Sequence, residues 1–163
     1  MERAAANDAR PVGVSFKNTY RGLRVLDLGT GTGVLAIAAA KALRIKVLAS
    51  DIDPLAVRVA RENARLNGAG DLLQAVHATG FSAPEFSWRA PFDLVLANIL
   101  ANPLRQMATP MAEHLAPSAL VILSGLLPQQ AQSVVAAYRA RGLVLRKHLG
   151  IEGWSSLSMR YAE

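Results

Sequence analysis

The stretch that decides the fold is residues 24–36, "RVLDLGTGTGVLA", in which an apolar run meets three alternating glycines and then an alanine-rich helical pattern. A glycine loop between a strand and a helix is typical of a nucleotide site, because the backbone can approach the ligand closely there. Counting from Gly29 gives glycines at Gly31 and Gly33, whereas the dinucleotide fingerprint needs its third glycine where Val34 stands. The loop therefore fits a pyrophosphate poorly.

Asp27 gives a second reason to reject a pyrophosphate. It precedes the first glycine by two positions, at the predicted carboxyl end of a strand, where ligands of open α/β sheets bind. A carboxylate this close to a phosphate costs about 1–4 kcal/mol in wet surroundings. A nucleoside with positive charge is attracted instead, and S-adenosylmethionine carries an ammonium and a sulfonium but no phosphate. The alternative is that Asp27 only caps the following helix or lies in a turn.

Asp51 ends the next predicted strand, about 20 residues after the first glycine, where an acidic side chain accepts hydrogen bonds from both ribose hydroxyls. Ile52 follows it and is predicted to cover the face of the adenine. Asp53 precedes Pro54 and has an adequate structural role as a helix cap, so we assign it no ligand. Asp27, the glycines and Asp51 together predict a site for a cation-bearing nucleoside.

The rest of the chain alternates short apolar strands with longer helical segments, the pattern of a parallel sheet covered on both faces. The predicted strands are 24–28, 46–50, 72–77, 92–97 and 119–124, and the predicted helices are 33–43, 54–67, 102–115 and 128–141. Residues 143–149 and 154–161 are predicted to form a terminal antiparallel pair. The segment 79–91 is predicted to be one long loop, and residues 1–22 a tail or truncated linker before a domain at 23–163.

The composition is that of one globular domain. The chain has 163 residues, of which 52% are hydrophobic and 18% charged, and these proportions argue against disorder. It contains no cysteine, no signal-peptide pattern and no apolar run near the roughly 20 residues of a membrane span. We therefore expect a cytoplasmic protein that does not enter a membrane.

The net charge of +6 is compatible with an RNA-rich partner such as the ribosome, or simply with a soluble surface. Direct binding of nucleic acid is not expected, because no aromatic residue for base stacking stands beside Arg58, Arg61 and Arg65. No metal site is predicted, because the three histidines are widely scattered. They are His77, His114 and His148.

Several segments together resemble the seven-stranded class I methyltransferases, over roughly residues 22–163. They are "LDLGTGTGVLAIAAAK" at 26–41, "DIDPLAV" at 51–57, "ENARLNG" at 62–68, "FDLVLANILANPL" at 92–104, "VILSGLL" at 121–127 and "EGWSSLSMR" at 152–160. Within that class the chain is similar to the bacterial methyltransferases of large-subunit ribosomal protein eleven. The resemblance implies a three-layer Rossmann-like α/β fold with a mostly parallel seven-stranded sheet, order 3-2-1-4-5-7-6, ending in one antiparallel strand.

The resemblance also implies roles for individual residues, with S-adenosylmethionine as the cofactor. The residues assigned to the cofactor are Asp27, Gly29, Thr30, Gly31, Gly33, Asp51, Ile52 and Asn98. Asn98 matches the asparagine beside the reactive methyl, and its side-chain carbonyl is predicted to act with the backbone carbonyl of Ile99. Together they would hold the hydrogens of an acceptor amine and aim its lone pair, because orientation matters more than a strong base when the donor is already activated. The alternative for Asn98 is a turn residue after a strand.

The function implied is N-methylation of lysine and N-terminal amines of ribosomal protein eleven. The family grips that partner with an N-terminal domain and covers the cofactor with a Gly-Thr-Gly-His-type segment, whereas upstream of residue 24 this chain offers only Gly13 and Gly22 and no histidine. We therefore expect a catalytic domain without its recognition domain. A free-standing methyltransferase acting on a small molecule or RNA, and a non-catalytic cofactor-binding remnant, are the alternatives. Trp88 and Trp154 are interpreted as packing residues, although Trp88 could flank the cofactor.

Overall fold

The computed structural model describes residues 22–162, so the predicted tail lies outside the described residues except for Gly22. Strands and helices alternate through this range. The strands are β1 (Val25–Leu28), β2 (Val47–Asp51), β3 (Leu73–His77), β4 (Phe92–Asn98), β5 (Leu115–Leu126), β6 (Leu143–Ile151) and β7 (Trp154–Tyr161). The helices are α1 (Val34–Leu43), α2 (Pro54–Leu66), α3 (Pro84–Arg89), α4 (Ala101–Ala112) and α5 (Pro128–Arg139), with a short 3₁₀-helix at Gly70–Leu72.

The strands form one sheet in the order β3-β2-β1-β4-β5-β7-β6. Strands β1 to β5 pair in parallel, and β7 runs antiparallel to both of its neighbours. The α/β class, the strand order and the antiparallel strand are therefore confirmed. The register brings several strand ends to one edge, since Leu28 pairs with both Ser50 and Ala97, and Asn98 pairs with Ser124. This carboxyl edge carries the candidate site.

Helix α2 begins and ends where its sequence signals predict. Asp53 is the N-cap, and its side chain accepts a hydrogen bond from the Leu55 amide at 2.8 Å, with Pro54 at the first helical position. Asn67 is the C-cap, and Gly68 follows it in the left-handed conformation. The start of α2 is thereby fixed directly after the end of β2.

The predicted loop at 79–91 contains helix α3, which the sequence pattern did not indicate. Pro84 occupies its first turn, and the side chain of Phe86 is fully buried. The Phe86 ring lies 5.0 Å from the ring of Phe81 and 6.3 Å from that of His114, measured between centroids. A helix this short shows no periodicity, because it is held by one buried side chain rather than by a repeating apolar face.

The junction of α4 and β5 also lies elsewhere than predicted. Helix α4 ends at Ala112, and β5 begins at Leu115, which pairs with Phe92, so the predicted helix end at 115 and strand start at 119 are wrong. Ser118 has a left-handed φ of 59° inside this strand. Pro117 and Ser118 interrupt the apolar pattern of the strand. For this reason the sequence pattern indicated only the part of β5 that follows them.

Among the described residues 22–162, no helix is long and apolar enough to cross a membrane.

Candidate functional site at the carboxyl edge of the sheet

The glycine loop connects β1 to α1, and all three of its glycines have left-handed φ values, 71° at Gly29, 54° at Gly31 and 85° at Gly33. A Cβ at Gly29 would overlap the side chain of Ile99, and one at Gly33 would lie 3.0 Å from the Cβ of Ala60. Gly29 therefore allows the end of β4 to approach the loop, and Gly33 allows α1 to pack closely on α2. Nothing lies within 4 Å of a Cβ at Gly31, which faces open space.

Asp27 lies beneath this loop and is 1% exposed. Its Oδ2 accepts hydrogen bonds from the Thr30 hydroxyl at 2.7 Å and from the Ala36 amide in the first turn of α1 at 3.1 Å. The helix-capping role considered for Asp27 is therefore present. Its Oδ1 is also buried and has no hydrogen-bond partner among the described residues, so one carboxylate oxygen is left to receive a further donor.

The surroundings of Asp27 change its titration. Burial raises the pKa of its carboxyl from 3.8 to about 6, because the charged form loses its hydration. The hydrogen bonds from Thr30 and Ala36 lower this pKa in part, and the negative charge of Asp51 raises it further. A cation near Oδ1 would favour the ionised form.

Asp51 is half-buried at the end of β2 and binds the glycine loop from the other side. Its Oδ2 accepts a hydrogen bond from the Gly31 amide at 2.8 Å, and its Oδ1 accepts one from the Asp53 amide at 3.0 Å. A carboxylate offers about four acceptor positions, so the two oxygens can accept further donors from a ligand. Ile52 is 65% exposed beside it, so its side chain is free to contact a ligand.

A cavity of about 480 Å³ opens at this edge, within the size range of ligand pockets. Its lining is mostly apolar and consists of Leu28, Gly29, Ser50, Asp51, Ile52, Ala78, Thr79, Gly80, Ile99, Leu100, Pro103, Gln106 and Met107. We name it the nucleoside cavity. Four of the predicted site residues line it, namely Gly29, Asp51, Ile52 and Ile99. Asp27, Thr30, Gly31, Gly33 and Asn98 lie outside its lining.

The loop after β3 also contributes to the nucleoside cavity, through Thr79 and Gly80, and sequence reasoning did not assign it a role. A signal was available, because parallel strands place their carboxyl ends at one edge, so "ATG" after β3 should face the ligand as the turns after β1 and β2 do. Gly80 has a φ of 57°, and a Cβ there would lie 3.2 Å from the sulfur of Met107.

Asn98 ends β4, is exposed, and lies against Gly125 of β5. A Cβ built on Gly125 would lie 2.5 Å from Asn98 Oδ1 and 3.2 Å from the backbone oxygen of Ile99. The two carbonyl oxygens predicted to act together therefore both lie beside Gly125. Sequence reasoning missed this glycine, which lies in the quoted "VILSGLL" but is distant in sequence from Asn98.

A second cavity, of about 440 Å³, has Asn98 and Gly125 in its lining. It is lined by Asn98, Ser124, Gly125, Leu149, Ile151, Glu152, Trp154, Ser155 and Ser156, and we name it the hairpin cavity. It shares no lining residue with the nucleoside cavity, and of two neighbouring residues Asn98 lines the hairpin cavity and Ile99 the nucleoside cavity. Trp154 is 55% exposed and Trp88 is 77% exposed, so neither is the packing residue that was predicted. Trp88 also lies outside the lining of both cavities.

Two of the arginines of α2, Arg61 and Arg65, make contacts within the protein. Arg61 donates from Nη2 and Nε to the Ala75 carbonyl oxygen at 2.6 and 3.1 Å, and Arg65 pairs with Glu62 at 2.6 Å. Within residues 22–162, no group of three or more acidic or histidine side chains could hold a metal ion. The candidate site thus has two cavities. The carboxylates of Asp27 and Asp51 lie at the glycine loop, and the amide of Asn98 lines the hairpin cavity.

Comparison with known proteins identifies the family. A family model described as "Ribosomal protein L11 methyltransferase (PrmA)" matches residues 16–162. A ribosomal protein L11 methyltransferase of Rhodopseudomonas palustris is 77% identical over 133 residues, which are 82% of this chain but 45% of the relative. The chain thus spans about half the length of the curated relatives it matches.

Solved structures agree with this match. A ribosomal protein L11 methylase of Lactobacillus delbrueckii superposes with a TM-score of 0.80 at 30% identity, over 90% of this chain and 73% of that one. An RNA methyltransferase of Salinibacter ruber, solved with S-adenosyl-L-homocysteine, shares the fold at a TM-score of 0.68 and 22% identity, over 85% of this chain and 80% of that one. The chain belongs to the ribosomal protein L11 methyltransferase family.

Proposed function

We propose that this chain is an S-adenosylmethionine-dependent methyltransferase domain that methylates protein amines, with ribosomal protein L11 as the acceptor. The observation that carries the proposal is that Asn98 Oδ1 and the Ile99 carbonyl oxygen both lie beside Gly125, with Asn98 lining one cavity and Ile99 the other. One cavity has the residues to hold the nucleoside, and the other opens toward the amide carbonyl. Family membership and the full-length relatives' names support the same reaction.

The nucleoside cavity fits S-adenosylmethionine by the chemistry of its residues. Asp51 would accept hydrogen bonds from the ribose hydroxyls, and the exposed side chain of Ile52 would cover the adenine. The unpaired Oδ1 of Asp27 lies beneath the glycine loop and favours a cationic ligand over a phosphate. When bound, the cofactor supplies a methyl group already activated by a sulfonium.

The acceptor amine must be neutral to attack a methyl carbon, and the reference pKa of lysine is about 10.4. Asn98 Oδ1 and the Ile99 carbonyl oxygen are both acceptors, so they hold N–H hydrogens and leave the nitrogen lone pair free to point away. Gly125 leaves these two oxygens in place, because any side chain there would collide with Asn98 Oδ1 and crowd the Ile99 carbonyl oxygen. The catalytic contribution of the chain is therefore orientation of the amine, with Asn98 and Ile99 as the catalytic residues.

We further propose that residues 23–163 form the methyltransferase domain and that L11 is recognised mainly by the part of the full-length relatives that this chain does not match. Orientation within about 3–3.5 Å needs a firm grip on the substrate, whereas the +6 charge of this chain improves encounter more than alignment. Action on a ribosomal protein places the reaction in the cytoplasm. Direct nucleic-acid binding is not part of the proposal.

The experiment is incorporation of labelled methyl from S-adenosylmethionine into purified L11. We expect cofactor binding by the chain alone, very weak transfer to free L11, and much faster transfer once the unmatched N-terminal part of the R. palustris relative is fused ahead of residue 1. The Asn98→Ala variant of the fusion should lose turnover far more than cofactor affinity. Cofactor binding without transfer in the fusion would favour a binding remnant, and transfer only to RNA or a small molecule would favour a different substrate.

A further inference from the structure

Glu152 is the ionisable residue of the hairpin cavity. The other lining residues are serines, a glycine, the amide of Asn98 and three apolar side chains. The cavity that opens toward Asn98 therefore has one charge, and that charge is negative. This contrasts with the chain as a whole, whose net charge is +6.

The position of Glu152 is fixed by a tight turn. Ile151 pairs with Trp154 at the end of the β6–β7 hairpin, and the two residues between them, Glu152 and Gly153, have φ values of 48° and 82°. Positive φ at both central residues is the signature of a type I′ turn, in which glycine, asparagine and aspartate are preferred. Glutamate is a strained choice at this position, and residues that break a local rule are concentrated at functional sites.

The hairpin is attached firmly to the rest of the site. Ser155 is 2% exposed, pairs with Leu126 at the end of β5, and its hydroxyl lies 2.9 Å from His148 Nε2 across the hairpin. This pairing joins the hairpin to the end of β5, at the residue that follows Gly125. Glu152 therefore belongs to a turn whose flanking strands are held by pairing with β5 and by the hydrogen bond between Ser155 and His148.

The Glu152 carboxylate forms no ion pair with any residue of the described chain, although the same hairpin carries arginines and a lysine. Glu62 shows the contrasting case, since Arg65 neutralises it at 2.6 Å. An unpaired carboxylate in a cavity otherwise lined by neutral groups is complementary to a cation, and it lowers the energy of a positively charged ligand there.

We propose that Glu152 is a specificity-determining residue that selects a protonated alkylamine, the lysine type of acceptor, for the hairpin cavity. This rests on the proposed function of the site. The carboxylate holds the ammonium during entry, and the apolar side chains Leu149, Ile151 and Trp154 contact the alkyl stem. Asn98 and Ile99 then orient the amine once it is neutral, so Glu152 acts on selection rather than on methyl transfer.

The test compares two probes of equal shape on the chain loaded with S-adenosylhomocysteine, which prevents turnover. The probes are Nα-acetyl-lysine amide and Nα-acetyl-norleucine amide, of which only the first has an ammonium. Binding is followed by NMR at the indole N–H of Trp154, which lines the cavity, with the Trp88 indole as the reference outside it. The variants are Glu152→Gln, Glu152→Asp, and Glu113→Gln as a charge-matched control at the far end of α4.

We expect the lysine probe to bind about fivefold more tightly than the norleucine probe, the upper range for a partly solvated ion pair. Glu152→Gln should abolish that preference, whereas Glu152→Asp and Glu113→Gln should keep it. A preference that survives Glu152→Gln, or no detectable binding of the lysine probe, would overturn the assignment. Calorimetry of S-adenosylhomocysteine on the same samples tests the proposed function separately. If that ligand does not bind, the proposed function fails, and the probes are compared in the same way on the unloaded chain.

Discussion

Gly125 lies directly against the side-chain oxygen of Asn98, so close that a methyl group added to the glycine would lie 2.5 Å from Oδ1. The contact joins two strands, because Asn98 is the last residue of β4 and Gly125 belongs to β5. The absence of a side chain at Gly125 is therefore as much a part of the site as the presence of the amide.

Replacing Gly125 by alanine should displace the Asn98 side chain and reduce turnover at least tenfold, with little change in cofactor affinity. The backbone strain of alanine at a φ of 79° is a separate cost of about 1–2 kcal/mol in stability. Gly68→Ala is the matched control, because Gly68 has a φ of 67° and nothing within 4 Å of its Cβ position. Methyl incorporation by the fusion protein and calorimetry of the cofactor measure both quantities. Equal turnover in the two alanine variants would contradict the role given to Gly125.

Replacing Asp51 by alanine should weaken cofactor binding by about 1–3 kcal/mol, the range for hydrogen bonds to a charged group. Asp53→Ala is the control: it removes the helix cap of α2, which is worth about 1 kcal/mol in stability, and leaves the ribose ligand in place. Calorimetry with S-adenosylmethionine, its demethylated product and NAD makes the comparison. Unchanged affinity in Asp51→Ala would remove this residue from the site, and micromolar binding of NAD would contradict the charge argument.

Asp27 should make stability depend on pH in an acidic window. Its pKa is raised from 3.8 to about 6 in the folded chain, so between these values the folded state binds more protons than the unfolded state. The free energy of unfolding therefore falls as pH rises through this window, by about 2–3 kcal/mol at most, and levels off above it. Urea unfolding of the wild type and of Asp27→Asn from about pH 4 to about pH 7 measures the effect. The wild type should lose stability relative to the variant as pH increases; a gain would show that the carboxylate is ionised throughout.

Tyr138 should contribute to stability through its hydroxyl, which donates to the Leu104 carbonyl oxygen at 2.9 Å and joins α5 to α4. The side chain is fully buried, so Tyr138→Phe leaves that carbonyl without this partner and should cost about 1–2 kcal/mol. Denaturant unfolding gives the change, and cofactor affinity should stay the same because Tyr138 lies outside the lining of both cavities. A stability equal to that of the wild type would mean that the carbonyl finds another donor.

The sequence predicted the architecture because its signals are local. Buried strands such as β1 are short and mostly apolar, and a capping residue such as Asp53 marks the start of its helix. The errors occur where local pattern is weak, at the single anchoring residue Phe86 of α3 and at the irregular Ser118 of β5.

Prediction of the site was less complete for a different reason. Asp51 and Ile52 could be chosen because each follows a strand in the first half of the fold. Gly125 and Glu152 could not, because only the register of β4, β5 and β7 brings them beside Asn98. Burial of Asp27 is likewise a property of the assembled loop, in which Thr30 and Ala36 occupy one of its oxygens.

The neighbouring residues Asn98 and Ile99 line different cavities, which share no lining residue, while the carbonyl oxygens of both lie beside Gly125. Under the proposed function, donor and acceptor arrive and depart by different routes. A spent donor can be exchanged while the acceptor stays in place, and neither has to wait for the other. Several rounds of transfer on one bound substrate are compatible with this arrangement.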